Sequence, residues 1–78
     1  MNAMISAFII LNCHFPFDAR ITKEISQLQS VTNVYRTEGR YELIIKVSVE
    51  SEAKLNEMIS SEINTVPGVD SSLALIIA

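Results

Sequence analysis

Apolar residues gather in four extended stretches of this chain, and between them two segments space apolar residues as helices do. Met4 to Asn12 reads M-I-S-A-F-I-I-L-N. The run is too short for a typical helix and rich in Ile and Phe, so it predicts a strand. Alternate side chains of a strand face opposite ways, Phe8 and Ile10 to one side and Ile9 and Leu11 to the other. A strand apolar on both sides belongs in the middle of a covered sheet. Pro16 marks the exit loop, and Asp18 stands where a helix N-cap belongs. Ile21, Ile25 and Leu28 then fall at i, i+4 and i+7, one apolar helix face with Arg20, Lys23, Glu24 and Gln27 largely outside it. Val31 to Thr37 predicts a second strand, Glu38-Gly39-Arg40 a hairpin turn with Gly free to adopt positive φ, and Tyr41 to Val49 a third strand. Tyr41, Leu43, Ile45, Val47 and Val49 share one face of that strand; Glu42, Ile44, Lys46 and Ser48 share the other. Ser51 can cap a second helix, in which Leu55, Met58, Ile59 and Ile63 form one stripe. Pro67-Gly68 ends it, and Val69 to Ile77 predicts the last strand.

The order β-α-β-β-α-β is the split βαβ pattern, an α+β, ferredoxin-like domain with a four-stranded antiparallel sheet. An internal repeat supports it. Ser30–Thr37, S-V-T-N-V-Y-R-T, lines up with Thr65–Ser72, T-V-P-G-V-D-S-S, matching Val31 to Val66, Val34 to Val69 and Asn33 to Gly68. Asn and Gly adopt positive φ most easily, so both positions are expected to turn the chain from helix into strand. Helices in this topology cover one sheet face. Strands one and three and much of strand four are apolar on the other face too, and a small monomer rarely exposes so large a patch. The expected cover is the same face of a second copy related by a two-fold axis, a dimeric α/β barrel arrangement that dimers of dimers can extend.

Composition fits one globular domain over residues 1–78, with 49% hydrophobic and 19% charged residues. One Cys cannot form an internal disulfide, and one Cys with one His cannot close a structural zinc site. Self-association remains as the way to stabilise so short a chain, and a mean hydropathy of +0.31 agrees. A net charge of −3 and a pI near 4.9 make direct nucleic-acid binding a poor fit. The apolar runs Ala7–Leu11 and Leu73–Ala78 fall far short of the roughly 20 residues of a membrane span. No Lys or Arg precedes Arg20, which argues against a signal peptide, and an unpaired Cys makes the cytoplasm the expected compartment.

Few residues suggest chemistry. Cys13-His14 offers a thiol and an imidazole, but neighbours on a strand diverge and no second His or Cys completes a site. His14 is left as a conceivable general base in a dimeric barrel pocket. Glu50, Glu52, Glu57 and Glu62 read as a solvated helix face, and Met58 as core. No phosphate-binding loop, nucleophile elbow or zinc-protease motif occurs, so an enzyme is disfavoured and no metal or cofactor is expected. The informative segment is T-E-G-R-Y-E-L-I-I-K-V, Thr37–Val47. Gly39 brings backbone amides within reach of a ligand, Arg40 offers a fork to a carboxylate, and Glu42 offers charge to an ammonium. Together they suit the two ends of a free amino acid, with the Ser71 and Ser72 hydroxyls nearby. The same residues read equally as an ordinary hairpin with exposed charges.

The T-x-G-x-Y-[DE]-L-x-x-x-V pattern at Thr37–Val47 resembles the hairpin of the ligand-binding (RAM) domain of Lrp/AsnC-type regulators. V-P-G-V-D-S-S-L-A-L-I, from Val66, resembles a second motif of that family, and A-F-I-I-L-N and N-V-Y-R-T-E-G also fit. The resemblance runs from about Ile5 to Ile77 and rests on two motifs at the right separation. It implies dimers joined through their sheets, commonly assembled into octamers, with amino acid effectors held between dimers near the hairpin. By position it nominates Gly39, Arg40, Tyr41 and Glu42, and more weakly Thr37, Ser71 and Ser72. Arg40 stands where relatives often carry an acidic residue, and Glu42 where Asp is commoner. The first strand begins so close to Met1 that the chain resembles the stand-alone form lacking the helix-turn-helix domain. The expected role is an effector-binding module that modulates assembly or a full-length regulator, without touching DNA or membrane. The alternatives are a ligand-free interaction subunit, a small barrel enzyme using His14, and an ACT-like amino acid sensor, which shares the strand order.

Overall fold

The Ile- and Phe-rich run forms the first strand, β1 (Ile5–Cys13). The remaining elements are α1 (Ala19–Ser26), β2 (Val31–Arg36), β3 (Glu42–Val49), α2 (Glu52–Met58), which continues as a π-helical turn over Ile59–Ile63, and β4 (Val69–Ile76). The structure, a computed structural model, describes residues 4–14, 19–37 and 42–77. The expected βαββαβ order is the observed one. The strand ends expected at Met4, Asn12, Thr37 and Ile77 each fall within one residue of those seen. Asp18, Tyr41 and the turn Glu38-Gly39-Arg40 lie outside the described residues.

The four strands make one antiparallel sheet in the order β2-β3-β1-β4. β1, apolar on both faces, takes a central position. Alternation then sorts the side chains. Ala7, Ile9, Leu11 and Cys13 of β1 and Leu43, Ile45, Val47 and Val49 of β3 point under the helices and are buried. They meet Ile21 and Ile25 of α1, Leu55 and Met58 of α2, Ile63 and Val66 in one core. Register places Ile9 beside Ile45 and Leu11 beside Leu43. Fully burying each such aliphatic side chain contributes about 1.5–3 kcal/mol, so this two-strand layer is the main stabilising element.

α2 starts as the sequence indicates: Ser51 is the N-cap, its hydroxyl accepting from the Lys54 N–H at 3.1 Å. The apolar stripe then needs a correction. Met58 and Ile63 are both buried, yet residues five apart lie about 140° apart around an α-helix. The chain resolves this by widening into a π-turn, closed by the Asn64 N–H donating to the Ile59 carbonyl at 2.8 Å. Hydroxyls of Ser60 and Ser61 both donate to the Glu57 carbonyl, at 3.2 and 2.6 Å. The first helix is also shorter than its pattern: Leu28 lies past the end of α1, in the following turn, half-buried against the core.

The internal repeat is real in one feature and absent in another. The Val31 N–H donates to Leu28 O and the Val66 N–H to Ile63 O, each at 3.1 Å, so both halves leave their helix by the same turn. Gly68 has φ +100°, and a Cβ there would sit 2.5 Å from Ile21 Cδ1. Asn33 does not share that conformation. No described non-glycine residue has positive φ, and Asn33 lies within β2, where the β2–β3 register shifts between Val31 and Asn33. The first half absorbs its change of direction as an irregularity within the strand, the second as a glycine turn before it.

Candidate functional site

The sheet face away from the helices is built in rows by the register. Tyr35, Ile44, Ile10 and Leu73 lie side by side across all four strands. The next row is Asn33, Lys46, Phe8 and Leu75. Tyr35, Leu73 and Leu75 are 50%, 57% and 50% exposed, large values for such side chains in a sheet. At the end of this face nearest the β2–β3 hairpin the rows turn polar. Glu42, Asn12 and Ser71 are register partners, and Asn12 Nδ2 donates to Ser71 Oγ at 3.1 Å. One step further out, past a register shift at Asn12/Cys13, His14 Nδ1 meets Asp70 Oδ1 at 2.6 Å, both side chains more than half exposed.

This geometry sorts the nominated residues. Glu42 and Ser71 come together on the polar rim. Thr37 lies at the foot of the hairpin, its N–H and hydroxyl both donating to the Glu42 carbonyl, at 3.4 and 3.1 Å. Ser72 is on the other face: its register partner is the buried Leu11, and its hydroxyl donates to Asn64 Oδ1 at 3.0 Å, tying β4 to the segment after the π-turn. Gly39, Arg40 and Tyr41 lie outside the described residues. Asn12 and Asp70 were not nominated. Asn12 is recoverable from the expected strand order, because β1 runs between β3 and β4 and its polar end must face Glu42 and Ser71. Asp70 is recoverable only once the shift at Asn12/Cys13 is known.

Cys13 and His14 diverge, as neighbours on a strand do. Cys13 is buried on the helix side. Burial, and secondarily the Asp70 carboxylate, push its thiol above the ordinary 9.0. The fold therefore holds the thiol proton more tightly than the unfolded chain does. Cys13 contributes its stability fully below the ordinary thiol value and loses it as pH climbs through the raised native value. The expected result is an alkaline loss of stability that Cys13→Ala lacks, read from urea midpoints between pH 8 and 11. Identical alkaline slopes in the two chains would refute the assignment. Among the described residues no three His, Cys, Asp or Glu side chains gather as a metal set, and no helix is long and apolar enough to cross a membrane.

A cleft of about 580 Å³ lies at the opposite end of the sheet, lined by Ser30, Thr32, Glu50, Lys54, Glu57 and Glu62 among others. It is open to solvent and lies at the end of the sheet away from the polar rim.

Comparison with known proteins gives a consistent result. The family model described as the Lrp/AsnC ligand binding domain matches residues 6–77. The HTH-type transcriptional regulator FL11 of Pyrococcus abyssi is 24% identical over 71 residues, covering 91% of this chain and 46% of that protein. The chain thus spans about half the length of the curated relative it matches. E. coli AsnC superposes with a TM-score of 0.84 at 27% identity, over 94% of this chain and 50% of that one. A transcriptional regulator of Neisseria meningitidis, solved as its L-Met complex, superposes with a TM-score of 0.83 at 13% identity, over 95% of this chain and 49% of that one.

Proposed function

This chain belongs to the Lrp/AsnC ligand-binding-domain family, and from that premise we propose that it is a non-catalytic regulatory module that binds an amino acid between dimers. The observation that carries the reading is the open sheet face: apolar rows in its middle and a polar rim of Glu42, Asn12 and Ser71 at the hairpin end. A second copy is the natural cover for the apolar rows. The rim then borders the assembly, where a further dimer supplies the missing walls.

On this reading Glu42 takes the effector's ammonium and Arg40 its carboxylate, and Gly39 and Tyr41 are the further residues that the family pattern assigns to the hairpin. Ser71 and Asn12 add polar contacts from the neighbouring strands. Thr37 fixes the hairpin's foot, and Ser72 fixes β4 from behind. The class of ligand is suggested by the Neisseria regulator that binds L-Met. An effector that bridges dimers stabilises the assembly in which its site exists, and the population shifts accordingly. With a net charge of −3, the module acts on assembly or on a full-length regulator in the cytoplasm, and DNA contact falls to that partner.

Isothermal titration against the twenty amino acids tests this. At least one is expected to release heat with the wild-type chain and none with Glu42→Gln, a loss of 1.5–3 kcal/mol or more for a charge-assisted contact, by order of magnitude about tenfold to a hundredfold in affinity. No heat with any amino acid, and none carried through purification, would refute effector binding. Co-purification with a regulator unaffected by Glu42→Gln would instead mark a ligand-free interaction subunit.

A further inference from the structure

The two edges of the sheet differ. The β2 edge is guarded: its register shifts between Val31 and Asn33, the Thr32 hydroxyl turns back onto the Lys46 carbonyl, and it carries the charged Arg36. Irregularities and charges of this kind stop edge strands from pairing with other chains. The β4 edge has none of these devices. Val69 to Ile77 reads V-D-S-S-L-A-L-I-I, without Lys, Arg or Pro. Its single charge, Asp70, is already paired with His14. The β1–β4 register is unbroken from Ser71 to Ile76.

Hydrogen-bond alternation fixes which backbone groups look outward. The Ile77 N–H donates to Ser6 O at 2.9 Å. In an antiparallel ladder alternate pairs are bonded, so Leu75, Leu73 and Ser71 also turn their N–H groups toward β1. Ser72, Ala74 and Ile76 therefore present theirs to the outside, and among the described residues no strand lies there. Side-chain exposure points to the same edge. Ile76 is 46% exposed although its register partner, Ala7, is fully buried beneath the helices. A copy stacked on the open face leaves Ile76 uncovered, because Ile76 is on the other side of the sheet. A strand laid alongside β4 covers it.

We propose that β4 pairs edge to edge with β4 of a second copy, antiparallel about a two-fold axis at Ala74, giving one continuous eight-stranded sheet. That register bonds Ala74 to its symmetry mate and Ser72 of each copy to Ile76 of the other. It sets Leu73 of each copy across from Leu75 of the other on the open face, apolar against apolar. Asp70 falls beyond the paired stretch, so no like charges are brought together. The occupant is this chain itself because the strand is self-complementary in both side chains and charge. The proposal does not rest on amino acid binding, and edge pairing leaves the open face free to stack.

Amide hydrogen exchange on the full chain, resolved by NMR, tests it. The N–H groups of Ser72, Ala74 and Ile76 are expected to exchange at least tenfold more slowly than unstructured amides at millimolar protein, and to lose that protection on dilution to a monomer-sized or stacked-only particle. Fast exchange at these three positions, beside slow exchange at Leu73 and Leu75, would overturn the proposal, as would protection that persists at monomer mass. Ala74→Pro removes one outward donor and no bond to β1. Its particle mass by light scattering is expected to be half that of the wild type under the same conditions, and an unchanged mass with unchanged exchange at Ser72 and Ile76 would also overturn it.

Discussion

Replacing Ile10 by glutamate is expected to give a folded chain that has lost its stacked partner, a particle of half the wild-type mass, and that no longer binds any effector. Ile10 lies in the middle of the open face, between Ile44 and Leu73 in its row and beside Phe8 two residues back along β1. Its side chain points away from the core, which is built from Ala7, Ile9 and Leu11 on the other side of the same strand. A carboxylate there is therefore solvated in the monomer and costs the fold little beyond a strand-propensity penalty of up to about 1 kcal/mol. In a stacked pair the two-fold axis buries it twice. Each buried, unpaired carboxylate costs at least about 2–3 kcal/mol, so the dimer weakens by roughly 4–6 kcal/mol, on the order of 10³–10⁴-fold in dissociation constant. Light scattering at micromolar concentration reads the mass, circular dichroism the fold, and titration calorimetry the effector. A variant that keeps the wild-type mass would show that the open face is not the stacking surface. The between-dimer cleft would then lose its walls and the amino acid reading its basis.

The strand pattern was legible because burial on two sides and burial on one side write different signals. β1 carries apolar residues on both faces from Ala7 to Leu11, and β3 a complete apolar set on one face only; both could be read, and with them the order βαββαβ. The errors arose where two local solutions satisfy the same pattern. Asn33 and Gly68 align, and both residue types tolerate positive φ, yet only Gly68 uses it. In the first half the neighbouring strand β3 offers pairing on one side and accommodates a register shift, so the chain never needs the strained conformation. At Gly68 the backbone sits at φ +100°, a conformation that strains any side chain, and the tip of Ile21 would also have to move for a Cβ, which leaves glycine as the residue that fits.

The candidate site was less legible for a related reason. Ser71 and Ser72 are adjacent in sequence and the family pattern points to both, but a strand sends neighbours to opposite faces. Ser71 joins the rim and Ser72 anchors Asn64 on the helix side. Knowing which serine faces which way requires the register against β1, and that register shifts at Asn12/Cys13. The same shift brings His14 to Asp70, a pairing across 56 residues of sequence that no local motif announces.

The π-turn supplies the other large expected effect. Ile63→Ala should destabilise the fold by about 2–5 kcal/mol, the range for truncating a fully buried aliphatic residue, because Ile63 is fully buried. A domain of this length has on the order of 4–12 kcal/mol in total, so the urea midpoint should fall by roughly a sixth at the least. Deleting Ser60 should do far less. The deletion puts Ile63 four positions after Met58 and turns the Asn64-to-Ile59 bond into an ordinary α-helical one. The core stripe then closes without a widened turn, and Ser60 itself is exposed, so the cost should be roughly 1 kcal/mol or less. Both variants need comparison with wild type at one protomer concentration, since association adds to apparent stability by mass action. If the deletion proved as damaging as Ile63→Ala, the five-residue spacing would not be the cause of the π-turn. The turn would then be holding something other than Ile63, and the hydroxyls of Ser60 and Ser61 on the Glu57 carbonyl would be the next groups to remove.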